Sequence, residues 1–188
     1  TSAAIRERRS IKRFKSDPVE QERIEELLKL TILAPSAKND QPWRFVVVRG
    51  QAKEELLGRV DSVLQTLLAE GRPTGSLRGS LRAMQEAPVL ILVFNGIPRT
   101  NPPREFEYAK FLVDTQSIGA AIQTMLLGAQ SMGLGSLWIC DVLFAVDEIS
   151  SYVESSDELV AAVALGYPAE QPNPRPRRSL AKLTRFLE

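Results

Sequence analysis

Apolar positions recur along this chain with two different periods, and the changes of period mark its elements. Ile24, Leu27, Leu28 and Ile32 fall at helical spacing. The Asp17-Pro18-Val19-Glu20 run ahead of them predicts a helix start, with Asp17 as cap acceptor and Pro18 in the first turn. Pro35 closes that helix. Trp43 to Val48 is β-branched and aromatic and ends before Gly50, which predicts a strand. A second helix is expected from Ala52 to about Ala69, burying Leu56, Val60, Val63, Leu64, Leu67 and Leu68. The Gly-, Ser- and Arg-rich stretch EGRPTGSLRGS then predicts a mobile loop over residues 70–80.

Pro88 introduces VLILVF, a continuous apolar run of strand length, which predicts a strand buried on both faces. NGIPRTNPPRE, residues 95–105, is expected to be another loop. From Phe106 to Met132 the pattern is helical and apolar nearly all round, as in the central helix of a core. Gly133 ends that helix and GLGSLWIC enters a strand. Asp147 is expected to cap a short helix reaching Val153, and LVAAVALGYP supplies a last strand. The Pro-rich, basic remainder starts as an extended arm. Helices and strands alternate without a regular βαβ order, so the expected architecture is a three-layer α+β sandwich around one sheet. The whole chain, 1–188, is read as a single domain, and the arm needs a surface to dock on, most simply a partner subunit.

Charge changes this picture little. Lys and Arg number 24 against 23 Asp and Glu, a net +1, so no global field draws in nucleic acid or an anionic membrane. The most apolar window carries Asp114, Gln116, Gln123 and Gln130, which argues for a buried helix over a membrane span. Cys140 is the sole cysteine and the first residues have no signal-peptide core, so a reducing cytoplasm is the expected location.

The chain has no histidine, which removes His-based triads, His metal sites and the usual neutral-pH base. With one cysteine there is no thiolate zinc cluster either, and no metal site is expected. Any enzyme chemistry is then expected to come from a bound cofactor.

Three polar clusters are candidates. RERRSIKRF brings Arg6, Arg8, Arg9, Ser10, Lys12 and Arg13 into one stretch, suited to a phosphate clamp or simply to a solvated basic segment. APSAKNDQPW sets Ser36, Asn39 and Gln41 at the mouth of a strand, as a ligand contact or as ordinary turn chemistry. RPRRS, Arg175 to Ser179, is a third anion site or a solubilising tail. Cys140, with no cationic neighbour in sequence, is expected to be buried and inert, and Trp43, Phe45 and Trp138 to be core residues. Glu107 and Asp114 share a helical spacing better suited to surface or cap roles than to a carboxylate pair.

In their order along the chain, RRSIKRF, APSAKNDQPW, GLGSLWIC after a long helix and the basic arm resemble the nitroreductase family of FMN-dependent oxidoreductases. The resemblance implies a three-layer α/β/α sandwich with a mixed, mostly antiparallel sheet. It also implies a homodimer that exchanges the C-terminal arms and forms two FMN sites between subunits. Arg8, Arg9, Ser10 and Lys12 would bind FMN, Arg8 and Ser10 towards the phosphate and ribityl end and Lys12 at the pyrimidine edge. Pro35, Ser36, Ala37 and Asn39 would contact the flavin from the other subunit. Backbone around Ile139, Cys140 and Asp141 would face the ring near N5, so that Cys140 acts through its N–H. Arg175 and Arg177 would complete the phosphate site, with Arg178 as the alternative register. Asp40 stands where related sequences often carry an apolar residue.

The implied activity is hydride transfer from NADH or NADPH through flavin N5 to nitroaromatics, quinones or similar small acceptors, in two exchange steps. The residues fit that chemistry, because a fixed cation at Lys12 lowers the free energy of a reduced, electron-rich ring and no protein nucleophile is needed. The competing readings are a specialised relative that dehalogenates or fragments a flavin, and a non-catalytic flavin-binding dimer. A nucleic-acid binder is a weaker fourth, given the balanced charge.

Overall fold

The structure, a computed structural model, describes residues 2–97 and 104–187. Four strands, β1 (Trp43–Arg49), β2 (Val89–Asn95), β3 (Gly135–Ile139) and β4 (Glu158–Gly166), form one sheet in the order β1-β2-β4-β3. All three ladders between them are antiparallel, and among the described residues the one parallel contact is a bridge between Ser10 and Ser136. Every residue of β2 is buried, as its unbroken apolar run predicts.

The alternation of side chains along β2 divides the core. Leu90, Leu92 and Phe94 join one cluster while Val89, Ile91 and Val93 join another, on the opposite face of the sheet. The first face is covered by α3 (Gly50–Ala69), α4 (Leu77–Glu86) and α6 (Val146–Tyr152). The second is covered by α2 (Gln21–Thr31) and α5 (Arg104–Ser131), through Ile24, Leu27, Ile118, Ile122 and Met125. A short α1 (Ser2–Glu7) precedes them. The result is the three-layer sandwich that the alternating pattern predicts, each buried Leu or Ile contributing about 1.5 to 3 kcal/mol of hydrophobic stabilisation.

Several local expectations are corrected. Asp17 does not cap α2: the helix begins at Gln21, and the Glu20 carbonyl accepts from the N–H groups of Arg23 and Ile24 at 3.1 and 3.2 Å. Burial of Val19 holds the preceding backbone extended, and the Glu20 carboxylate takes the Tyr167 hydroxyl at 3.0 Å. Asp147 lies within the first turn of α6 and not at its cap.

The stretch 70–80 is not a loop throughout, because α4 starts at Leu77. Leu77, Leu81 and Met84 are spaced one and two helical turns apart and all three are buried. The loop expected over 95–105 falls largely outside the described residues. Trp138 is 37% exposed, whereas Trp43 is in the core and Phe45 is partly buried against it.

Lys53 is a polar group buried in this core. From α3 its ammonium reaches the end of α4 and donates to the carbonyls of Met84, Gln85 and Ala87 at 3.2, 2.9 and 2.5 Å. Those carbonyls have no partner further along the helix, and Pro88 blocks its continuation. Desolvation pushes the Lys53 amine below the ordinary lysine value, against a smaller upward pull from Glu54.

Candidate cofactor site

Residues 10–15 run between the edge of the sheet and the root of the arm, and this brings together two basic clusters far apart in sequence. Ile11 N–H donates to the Ser136 carbonyl at 3.0 Å, and Ile11 is buried over Gly135. A Cβ at Gly135 would stand 3.0 Å from Ile11 Cγ1, so the second glycine of GLG makes room for this crossing. On the other side Lys15 N–H donates to the Tyr167 carbonyl and Ala169 N–H to the Arg13 carbonyl, both at 2.9 Å. The Glu170 carboxylate caps the pairing by accepting the backbone N–H of Lys12 at 2.5 Å and of Arg13 at 3.1 Å.

A cavity of ≈ 390 Å³ opens where the strands of this pairing diverge, and Arg8, Arg9, Ser10, Lys12, Arg175 and Arg177 all line it. Arg6 adds a further cation and Glu170 the one carboxylate among the described residues, while Arg178 is not part of the lining. The Arg9 guanidinium donates through one terminal nitrogen to the carbonyls of Arg6 and Arg8, at 2.8 and 2.9 Å. Its Nε is buried with no hydrogen-bond partner among the described residues. An orphaned charged donor costs about 1 to 3 kcal/mol, which an anionic oxygen brought by a ligand would remove. The donor set therefore fits a phosphate group such as that of FMN.

The loop predicted to meet the flavin from a second subunit does not line this cavity. Ala37–Asn39 forms a 3-10 turn, and Lys38, Asn39 and Gln41 all take positive φ, at 52°, 59° and 46°. Non-glycine residues held there store strain of about 1 to 3 kcal/mol each, a cost found where function fixes the backbone. The turn stands on α5: Ala37 N–H donates to Ser117 Oγ at 3.3 Å, and Ser36 Oγ accepts the Gln41 N–H at 3.0 Å. Pro35, Asn39 and Asp40 are left exposed.

The third predicted segment lies at the far end of β3. Ile139 is buried, and Asp141 opens a 3-10 turn, Asp141–Ala145. Cys140 is exposed and not buried as expected, since it falls one residue past the strand. Its thiol is nevertheless pushed up, first by partial desolvation of the sulfur and then by the Asp141 charge, so it is a poor nucleophile near neutral pH. Asp114 is buried and paired with Lys110 at 2.9 Å within α5, which makes it a structural carboxylate. Among the described residues no acidic or cysteine cluster is arranged to hold a metal, and no helix is long and apolar enough to cross a membrane.

Glu170, Ser76 and Ser80 carry no sequence signal for a site. Glu170 is recognisable only once the chain has paired residues about 158 positions apart, and the two serines sit in the stretch that looked like a loop.

The Nitroreductase family model matches residues 5–167. This chain belongs to the Nitroreductase family. A 5,6-dimethylbenzimidazole synthase of Rhodospirillum rubrum is 29% identical over 176 residues, covering 87% of this chain and 80% of its own. A BluB-like flavoprotein of Clostridium difficile 630 has a TM-score of 0.84 at 27% identity, covering 100% of this chain and 98% of its own. A provisionally assigned nitroreductase of Desulfovibrio desulfuricans, solved in complex with FMN, has a TM-score of 0.75 at 28% identity and covers 100% and 96%. In this member of the Nitroreductase family neither the 36–41 loop nor the turn after β3 lines the basic cavity.

Proposed function

We propose that this Nitroreductase family member is an FMN-dependent NAD(P)H oxidoreductase that reduces nitroaromatics, quinones or related acceptors. The observation that carries the reading is the convergence of Arg8, Arg9, Lys12, Arg175 and Arg177 on one cavity, with the buried Arg9 Nε lacking an acceptor. FMN would supply there a ring able to take a hydride and pass it on. Arg8, Arg9, Ser10, Arg175 and Arg177 hold the phosphate end by charge-assisted hydrogen bonds. Lys12, its backbone fixed by Glu170, presents a cation to the pyrimidine edge. Pro35, Ser36, Ala37 and Asn39 are assigned to the flavin bound mainly by a second copy. Ile139, Cys140 and Asp141 border the ring with backbone groups.

A homodimer completes this reading. Leu180, Leu183, Phe186 and Leu187 on the arm are 63–82% exposed, and Phe106 and Tyr108 on α5 are exposed as well. Apolar side chains in such numbers are stable in water when another surface covers them. Sedimentation velocity is expected to give a dimer mass.

Lys12→Ala is expected to keep FMN but to slow its anaerobic reduction by NADH or NADPH roughly 10- to 100-fold, because the phosphate contacts remain while charge stabilisation is lost. Stopped-flow absorbance measures this, and an unchanged rate rejects the role given to Lys12.

A second reading is favoured by the similarity to the Rhodospirillum rubrum and Clostridium difficile proteins. It is that the chain fragments reduced flavin to a dimethylbenzimidazole. Incubating the protein with reduced FMN and oxygen and analysing the products by mass spectrometry separates the two. Accumulation of that product without turnover of nitro compounds or quinones would replace the first reading.

A further inference from the structure

We infer that Asp141 is a positioning residue, whose carboxylate ties the backbone after β3 to the first turn of α4. The inference deepens the proposed function and rests on it. Asp141 Oδ2 accepts the Ser76 hydroxyl at 2.6 Å and also the Ser80 hydroxyl, in a shorter contact. Ser80 lies in the first turn of α4 and Ser76 at the position just before it, so one oxygen is gripped by two donors at the start of the helix. The contacts cross more than sixty residues of sequence.

The geometry is confined from the other side as well. A Cβ at Gly75 would stand 3.2 Å from the Phe144 ring and 3.5 Å from Asp141 Oδ1, so the segment entering α4 lies directly against this turn. Asp141 opens the 3-10 turn, and the first N–H groups of any such turn have no partner inside it. The Asp141 N–H is one of the backbone groups assigned to the flavin N5 edge, and the Cys140 N–H assigned there belongs to the residue just before the turn. A donor there helps only if it is held in place beforehand, because reorganisation would consume the interaction. Hydrogen bonds to a charged oxygen are stronger than those between neutral groups, and two of them hold a short turn in place.

The same link gives α4 a role. The helix is anchored at its end by Lys53 and at its start by Asp141. A displacement of its first turn therefore moves the Cys140–Asp141 backbone.

The test uses Ser76→Ala/Ser80→Ala, which removes the tether and leaves Asp141 in place. The serines are exposed and half-buried respectively, so the variant is expected to fold. Two readouts are taken: amide hydrogen exchange over residues 139–143 in flavin-free protein, and the FMN midpoint potential in loaded protein. Exchange is expected to speed up at least tenfold and the potential to move in the positive direction, since a fixed donor favours the unprotonated N5. Asp141→Ala is expected to match both changes, and Asp141→Asn, which keeps an acceptor, to recover part of them.

Wild-type exchange and potential in the serine variant overturn the inference, as does a shift in Asp141→Ala that the serine variant does not share. Wild-type protein that binds no FMN instead overturns the proposed function, and the inference with it.

Discussion

Alanine at both Arg8 and Arg177 is expected to raise the dissociation constant for FMN roughly 10²- to 10⁴-fold, two charge-assisted hydrogen bonds being worth about 3 to 6 kcal/mol together. Arg8 is half-buried and Arg177 exposed, and both line the basic cavity from opposite ends of the sequence. Neither has a salt-bridge partner among the described residues, so their loss strands no carboxylate and the effect falls on the ligand. Arg9 remains in the double variant, with its Nε still lacking an acceptor, which is why binding weakens and does not vanish.

Fluorescence titration with FMN gives the constant directly. Titration of wild-type protein in rising salt should show the same dependence on charge, with affinity falling as ionic strength rises. A double variant that purifies yellow at full occupancy places the phosphate elsewhere.

Lys53→Met is expected to lower stability by about 2 to 3 kcal/mol, because three helix-end carbonyls lose their donor and methionine fills the space without replacing it. For a chain of this size that is a fall in Tm of roughly 5 to 10 °C. Thermal denaturation followed by circular dichroism measures it.

The pH dependence has a definite sign. Burial lowers the folded-state pKa of Lys53 below its ordinary 10.5. Between those two values the unfolded chain binds the proton and the folded chain does not, so folding gains as pH rises. The contribution is complete above the unfolded value and lost as pH falls through the folded one. The stability gap between wild type and Lys53→Met should therefore widen in the alkaline window approaching 10.5. A gap that narrows there contradicts a desolvated Lys53.

How far these features were legible in the sequence depended on whether local pattern or distant pairing fixed them. VLILVF could be read as a doubly buried strand because each of its residues faces one or other half of the core. The long helix ending at Gly133 was equally plain, and Gly133 does take positive φ, at 73°. The start of α4 was hidden because Gly79, Ser76 and Ser80 are residues of loops, while the spacing of Leu77, Leu81 and Met84 gave the helix away only to a count by turns.

Asp17 looked like a cap because its spacing to Pro18 and Glu20 is right. The pull of Val19 into the core, a tertiary effect, moved the helix start to Gln21. Trp138 and Cys140 are exposed for a related reason, since an apolar run does not reveal that its strand lies at a sheet edge, as for Trp138, or where that strand stops, as for Cys140.

The site divides in the same way. Arg8 to Lys12 and Arg175 to Arg177 were visible as charge, and only the resemblance suggested that they meet. What joins them is the pairing of residues 13–15 with 167–169, in which backbone groups rather than side-chain types do the recognition. The role of Glu170 follows from that pairing and had no signature of its own.

That carboxylate has a consequence for how the cations gather. Glu170 moors the arm to the backbone of Lys12 and Arg13, and five residues further on the chain reaches Arg175, a leash of at most about 18 Å. Arg175 and Arg177 are thus kept near Arg8 and Arg9 by hydrogen bonds within one chain, at a local concentration that dilution does not change. However few copies of the chain are present in solution, these cations remain neighbours.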